Sequence, residues 1–429
     1  MKYAKNCAWK AMQNKYMSKK IKVVESFSGI GSQAKALKNI GADFKVVATI
    51  DWDIYATCAY DLIHNGAPDL DPYKDFNKED LIGILKRYTL SGNGKDPLSE
   101  YGLKAMSEES LRMILAAITR TRNLGSIVDV SGKRFPDKVD LFTYSFPCQD
   151  LSICGAWHGN KSGIDRNAHN RSGMLWEVER ILKELQKINK PLPKFLLMEN
   201  VSNILSATHK KNFEEWKNYL ENIGYYNHVC SLSAMNFGIP QTRVRTYMLS
   251  VLVGKSKPKK EKVIKFFDDN SLKDKKIAKT KPLKNFLRVD YSNPVYKAEA
   301  DASNPNDTPS RMEIYNDNAH IYDGNKVVKN FIKTITTKQD RNPNSGVIVY
   351  KQRQKGKAPY RNLTPRECFL LMGFDEADFD NIVNYNFNAR KGRKFFTQEK
   401  LIRLAGNSIV VKVLEEIFKQ ILEINSKIL

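Results

Sequence analysis

The feature that most constrains this chain is a unit that recurs along its first half: a short β-branched run, ending at a glycine or an acid, that passes straight into a helix-forming stretch. IKVVESF (Ile21 to Phe27) runs into SGIGS and then QAKALKNI. FKVVATI ends at Asp51-Trp52-Asp53 and continues as YATCAYDLI. VDLFTYSF (Val139 to Phe146) ends in Pro147-Cys148, and KFLLMEN and RTYMLSVLV read as two further strands. MLWEVERILKELQKI places Leu175, Val178, Ile181, Leu182 and Leu185 on one helical face. Strands alternating with helices predict an open, mostly parallel α/β sheet. Such sheets bind ligands at the carboxyl ends of their strands, so the strand-end residues are the ones to examine.

At 429 residues the chain can hold two or three domains. Its 41% apolar and 10% aromatic content excludes a disordered tail protein. No run approaches the roughly 18 to 20 apolar residues that span a bilayer, so no membrane association is expected. With 70 Lys+Arg against 47 Asp+Glu the net charge is +23, which suits a polyanionic partner, nucleic acid first. The plainer reading is that many lysines sit on solvated helix faces. Cys7, Cys58, Cys148, Cys154, Cys230 and Cys368 form no CxxC pair, and none of the six histidines has ligand spacing. Neither a disulfide framework nor a metal site is predicted, and the cysteine usage points to the cytoplasm.

The expected organisation is a basic extension over 1–20, which lacks the apolar core of a secretory signal, a large α/β domain over 21–252, a smaller irregular domain over 253–360, and a return to the first domain over 361–429. From Val251 to Asp290 there are 13 Lys+Arg and 5 Asp+Glu, a stretch expected to supply phosphate contacts.

Phe27, Gly29 and Gly31 follow the first strand, where glycines let the backbone approach a ligand. The spacing is not GxGxxG, so a dinucleotide is not favoured, and an ordinary tight turn is the competing reading. Asp51 can accept hydrogen bonds from ribose hydroxyls, and Trp52 can stack on an adenine. Asp75 falls where the next strand-end loop is expected. Cys148, just past a strand end, is placed like a nucleophile on a rigid platform, although an unpaired cysteine is more often a small core residue. Glu199 follows the apolar KFLLM, where a carboxylate is costly without a partner or a task. Gln241, Arg243 and Arg245 alternate and are expected on one face. A thiol, a carboxylate and an arginine above one sheet edge can attack and polarise a heterocycle.

The ordered blocks FSGIGS, FPCQDLS, MENV, QTRVRTY, RNLTPRECFLLMGF and LAGNSIVV, from about residue 21 to 420, resemble the bacterial DNA cytosine-5 methyltransferases of restriction-modification systems. The resemblance implies a Rossmann-like methyltransferase domain that uses S-adenosylmethionine, plus a small target-recognition domain. It implies that Phe27, Gly29, Gly31, Asp51, Trp52, Asp75, Asn407 and Ser408 line the cofactor site. It implies that Cys148 is the nucleophile, with Glu199, Arg243 and Arg245 around a cytosine flipped out of double-stranded DNA. The segment from Gln149 to about Ser172 is then a loop that closes over DNA. Residues 253 to 360 read the sequence, with Thr334 and Thr336 in a short Thr-rich signature, while Arg361, Thr364, Arg366 and Glu367 are scaffold. The enzyme is expected to act as a monomer, with a cognate restriction endonuclease as a further partner. Two alternatives stand beside this reading: a tRNA cytosine-5 methyltransferase, disfavoured by the long segment 253–360, and a catalytically inactive DNA-binding homologue, disfavoured by the intact Cys148, Glu199 and Arg245.

Overall fold

The structure, a computed structural model, describes residues 20–147, 151, 164–166, 171–273, 275–324, 326–390 and 392–429. Its centre is a six-stranded sheet in the order β2-β1-β3-β4-β6-β5. The strands are β1 (Ile21–Ser26), β2 (Phe44–Ile50), β3 (Leu141–Tyr144), β4 (Phe195–Val201), β5 (Tyr225–Ser233) and β6 (Val244–Leu252). β1 pairs in parallel with β2 and β3, and β3 with β4. β6 and β5 are antiparallel, so the sheet is mostly parallel with an antiparallel edge. Residues on both faces of β1, β3 and β4 are buried, which is why these strands read as continuous apolar runs. β5 carries no such run. Its Asn227, His228, Ser231 and Ser233 are interspersed with apolar residues at an edge, a pattern too polar to announce a strand.

The helices that matter here are α1 (Ser32–Asn39), α2 (Ile54–Asn65), α3 (Glu108–Thr121), α4 (Leu175–Lys187), α5 (Ala207–Asn222), α6 (Lys257–Asp269), α7 (Pro365–Leu371), α8 (Glu376–Asn384), α9 (Gln398–Asn407) and α10 (Val411–Lys427). Val411, Leu414, Ile417, Phe418 and Ile421 of α10 are buried, and the helix lies against α1. At about 1.5 to 3 kcal/mol per buried side chain, this face fixes the last segment onto the first one. α7 begins at a capping box: Thr364 Oγ1 accepts from the Glu367 amide at 3.2 Å and the Glu367 carboxylate accepts from the Thr364 amide at 2.9 Å. The same carboxylate takes both Arg361 guanidinium nitrogens at 2.8 Å. Burial opposes its charge, but Arg361 and the Arg288 and Thr364 amides hold Glu367 below the usual carboxylate range.

A second sheet, in the order β10-β9-β7-β8, comprises β7 (His320–Asp323), β8 (Lys326–Val327), β9 (Val347–Val349) and β10 (Tyr360–Arg361). FIKTITT forms no strand of it. Ile332 instead bridges Gln241, and its carbonyl accepts from the Thr242 amide at 2.9 Å, so this stretch is seamed to the approach to β6.

The lysine-rich stretch is split between two places: residues 278–281 bond the Asn236 and Gly238 carbonyls just past the end of β5, and α6 lies elsewhere. α6 lies along β5, with the Phe267 and His228 rings stacked 4.1 Å apart. Its end shares a cleft with Ile40, Gly41 and Asp43. The Asp43 carbonyl accepts from the Ile21 amide, the first residue of β1. α6 therefore ends at the amino-terminal edge of the parallel strands, about 20 Å of strand away from the edge that carries Asp51 and Glu199.

Candidate active site

β1 ends in a turn held open by backbone geometry. Phe27, Gly29 and Gly31 have φ of 53°, 54° and 77°. A Cβ on Gly31 would lie 2.2 Å from His64 Nε2, so only glycine lets α2 pack this closely. A Cβ on Gly29 would meet nothing within 4 Å. That open space lies in front of Asp51, whose Oδ2 accepts from the Gly29 amide at 2.8 Å and whose Oδ1 accepts from the Asp53 amide at 2.9 Å. Each oxygen keeps acceptor capacity for a ligand hydroxyl. Asn123 fixes the Asp51 backbone from both sides: its Oδ1 accepts from the Asp51 amide at 3.1 Å and its Nδ2 donates to the Asp51 carbonyl at 2.8 Å. Burial, with Asp53 beside it, pushes the Asp51 carboxyl up to about 7. Trp52 is half-buried next to it. This open glycine turn facing an anchored carboxylate and an indole fits the adenosine end of S-adenosylmethionine.

Asp75 is not brought to this edge. It is exposed, and the carbonyls around it at Tyr73 and Phe76 accept from Arg112 of α3. Arg112 precedes Thr121 by nine residues, about 13 Å of helix, and it is beyond Thr121 that the chain returns to Thr49 and Asp51. Asn123 and Leu124 are the residues that the chain brings back beside β2.

Glu199 sits near the end of β4, buried, two rungs along the β4–β6 ladder from Arg245, which pairs with Val201. Arg245 Nε lies 3.4 Å from Glu199 Oε1. Burial raises the Glu199 carboxyl, with Arg245 and then Arg243 opposing. Cys148 itself, Gln149 and most of the expected closing loop lie outside the described residues. The residues on each side of Cys148 are held by the segment that follows Glu199. Asn200 Nδ2 donates to the Phe146 carbonyl at 3.1 Å, and Asn203 Nδ2 donates to the Leu151 carbonyl at 2.7 Å. Further along, Arg166 bonds Glu179 and Glu215 and stacks on Trp176, with its guanidinium carbon 3.6 Å from the ring centroid.

Arg243 is expected on the same face as Arg245, but β6 starts only at Val244, so strand alternation does not extend back to it. Its guanidinium donates to the carbonyls of Ile335 (3.0 Å), Gly406 (3.1 Å) and Ser408 (2.9 Å). Arg243 is thus a strut joining three segments, and its charge also acts on the Glu199 carboxyl. Thr334 donates its hydroxyl to the Thr242 carbonyl at 3.2 Å. Gly406 is packed so tightly that a Cβ there would lie 2.6 Å from the Thr336–Thr337 peptide. Ser408 caps α9 by donating to the Leu404 carbonyl at 2.8 Å, while Asn407 keeps an exposed side chain. Asn123, Asn200 and Asn203 were given no role by the sequence reading. A neutral amide that anchors backbone carries no compositional signal of its own. Among the described residues no group of three or more His, Cys, Asp or Glu side chains is arranged to hold a metal ion.

Comparison with known proteins agrees with this geometry. Residues 101–423 match the model of the C-5 cytosine-specific DNA methylase family. The orphan methyltransferase M.SssI of Spiroplasma monobiae is 34% identical over 418 residues, covering 94% of this chain and 98% of that protein. The type II methyltransferase M2.ScrFI of Lactococcus lactis subsp. cremoris is 32% identical over 410 residues, covering 94% and 99%. The crystal structure of the S. pombe Dnmt2 methyltransferase shares the fold, with a TM-score of 0.56 at 22% identity over 95% of this chain and 100% of that one. The match to the family model spans most of the chain, and the chain belongs to the C-5 cytosine-specific DNA methylase family.

Proposed function

We propose that this enzyme methylates carbon 5 of a cytosine within a specific sequence of double-stranded DNA, using S-adenosylmethionine, with the cytosine rotated out of the helix into the site. The observation that carries the reading is the Glu199–Arg245 pair, set on the same sheet edge as Asp51 and beside the anchored ends of the segment that contains Cys148. Bound S-adenosylmethionine supplies an electrophilic methyl group. Phe27, Gly29, Asp51, Trp52 and Asn407 are the residues proposed to hold it. Carbon 5 of cytosine is a poor nucleophile. Addition of the Cys148 thiolate at carbon 6 converts the ring into an enamine that can accept the methyl group at carbon 5. Glu199 bonds the exocyclic amine and ring nitrogen 3 as charge develops there, and Arg245 contacts the carbonyl oxygen at carbon 2. Loss of the carbon-5 proton and elimination of Cys148 release the product. The flipped base is needed because an edge-on site of this kind is out of reach of a stacked cytosine. Expression in a methylation-free host followed by bisulfite sequencing tests the proposal. Methylation at one recurring sequence supports it. Marks in host tRNA with unmarked DNA would favour the RNA alternative.

Within 253–360, the part proposed to read DNA is the part that returns to the catalytic edge, including Thr334 and Thr336, not α6. DNA binding should weaken with salt. About six phosphate contacts correspond to a log-log slope of roughly −5. Lys259→Gln with Lys260→Gln should leave that slope unchanged, because α6 lies on the far side of β5. A slope that becomes shallower by about two in a filter-binding titration would return α6 to the interface.

A further inference from the structure

α9 carries two cations three residues apart, hence on one face, and both are turned to the start of α2. The Lys400 ammonium lies 3.4 Å from the centroid of the Tyr55 ring. Arg403 Nη2 lies 2.9 Å from Asp53 Oδ2, and its Nη1 donates to the Asn93 carbonyl at 2.7 Å. Asp53 is the N-cap of α2, accepting from the Tyr55 and Ala56 amides, and its own amide is one of the two donors that hold Asp51. The loop bearing Asn93 is tied to the same corner, since the Ser91 amide donates to the Trp52 carbonyl at 2.6 Å and the Ile54 amide to the Ser91 carbonyl at 3.1 Å. Gly94 has φ of 71°, and a Cβ there would lie 3.2 Å from Arg403 Nη1, so the loop closes directly over the guanidinium.

We infer that Arg403 is a positioning residue for the cofactor: by gripping Asp53 and the Asn93 loop together, it fixes the Trp52–Asp53 corner and keeps Asp51 available as an anionic acceptor for the ribose hydroxyls. This rests on reading Asp51 as the ribose acceptor. The charge balance at the corner favours it. Two carboxylates, Asp51 and Asp53, stand next to each other, and burial and mutual repulsion raise Asp51. Arg403 opposes that rise at both carboxylates, and Lys400 at Asp53. Burial, with Arg393 and Arg403 nearby, pushes Lys400 down to about 8, so below that pH both cations are charged. The other groups bonded to Asp51, the Gly29 and Asp53 amides and the Asn123 amide group, are neutral.

The test is the dissociation constant for S-adenosylhomocysteine by calorimetry between pH 5.5 and 8.5, for the full chain and for Arg403→Gln, Arg403→Lys and Asp51→Asn. The unaltered protein should bind more weakly as pH falls through about 7, where Asp51 takes up its proton. In Arg403→Gln the midpoint should move up by about one pH unit, which corresponds to about fivefold weaker binding at pH 7, recovering toward pH 8.5. Arg403→Lys keeps the charge and should keep the midpoint near that of the unaltered protein, while loss of one of the two contacts weakens binding by one factor across the range. Binding unchanged in Arg403→Gln, or weakened by one factor at every pH, overturns the proposal. Asp51→Asn should lose the pH dependence. If it binds like the unaltered protein, the ribose reading fails, whereas a weakened Asp51→Asn beside an unaltered Arg403→Gln defeats only the role of Arg403.

Discussion

A DNA duplex with 5-fluorocytosine at the target position should form a thioether adduct with this enzyme that survives denaturing electrophoresis. The Cys148 thiolate should still add at carbon 6 and the methyl group should still arrive at carbon 5. Fluorine cannot leave as a cation, so elimination stops. The adduct should need S-adenosylmethionine for full yield, since a methylated adduct cannot revert. Cys148→Ser should abolish it and reduce turnover on ordinary DNA by about four orders of magnitude or more, because a hydroxyl at neutral pH is a far weaker nucleophile than a thiolate. Cys154 lies six residues on and is the rival. Cys154→Ser should leave the adduct intact, and an adduct that followed Cys154 would overturn the assignment.

Glu199→Gln is expected to lower the rate of methyl transfer by about two to three orders of magnitude while leaving DNA affinity within about threefold. The carboxyl at the end of β4 is held above its usual range by burial, against the pull of Arg245 and Arg243. It can therefore act as a hydrogen-bond donor to ring nitrogen 3 as well as an acceptor from the exocyclic amine. The amide of glutamine keeps a donor and an acceptor but has no proton to give. The sign of the pH effect follows. Raising pH ionises Glu199 and removes the donated proton, so the alkaline limb of the rate profile should belong to Glu199 and disappear in the variant. Single-turnover rates across pH measure this directly. A variant with an unchanged alkaline limb would show that Glu199 only shapes the pocket.

How far the site could be read from the sequence depended on distance along the chain. Gly29, Gly31, Asp51 and Glu199 stand at strand ends, and a strand end is a local pattern, so their placement at one sheet edge was legible. The partners that make those residues usable are remote. Asn123 anchors Asp51 across 72 residues. Arg403 reaches Asp53 from a helix near the other end of the chain. Between the second and third strands, Lys78–Leu85, Glu100–Lys104 and α3 intervene before the chain comes back to the sheet, an excursion that no local pattern announces. The strut made by Arg243 was not legible because its alternation with Arg245 crosses the start of β6, where the period of two does not yet apply. The position of α6 was not legible because composition carries no direction: a lysine-rich helix contributes the same net charge wherever it packs.

The Arg243 strut also sets the order in which the molecule can be made. Its three acceptors belong to residues 335, 406 and 408, and α10 covers α1 only after residue 411. A chain still emerging from the ribosome can pair β1 to β6 but has nothing to brace the approach to β6 or to cover the α1 face. The bracing contacts link positions 92, 163 and 165 residues apart, so none of them can form before the later segments exist. A chain lacking residues 406 to 421 would therefore leave the approach to β6 unbraced and the α1 face uncovered.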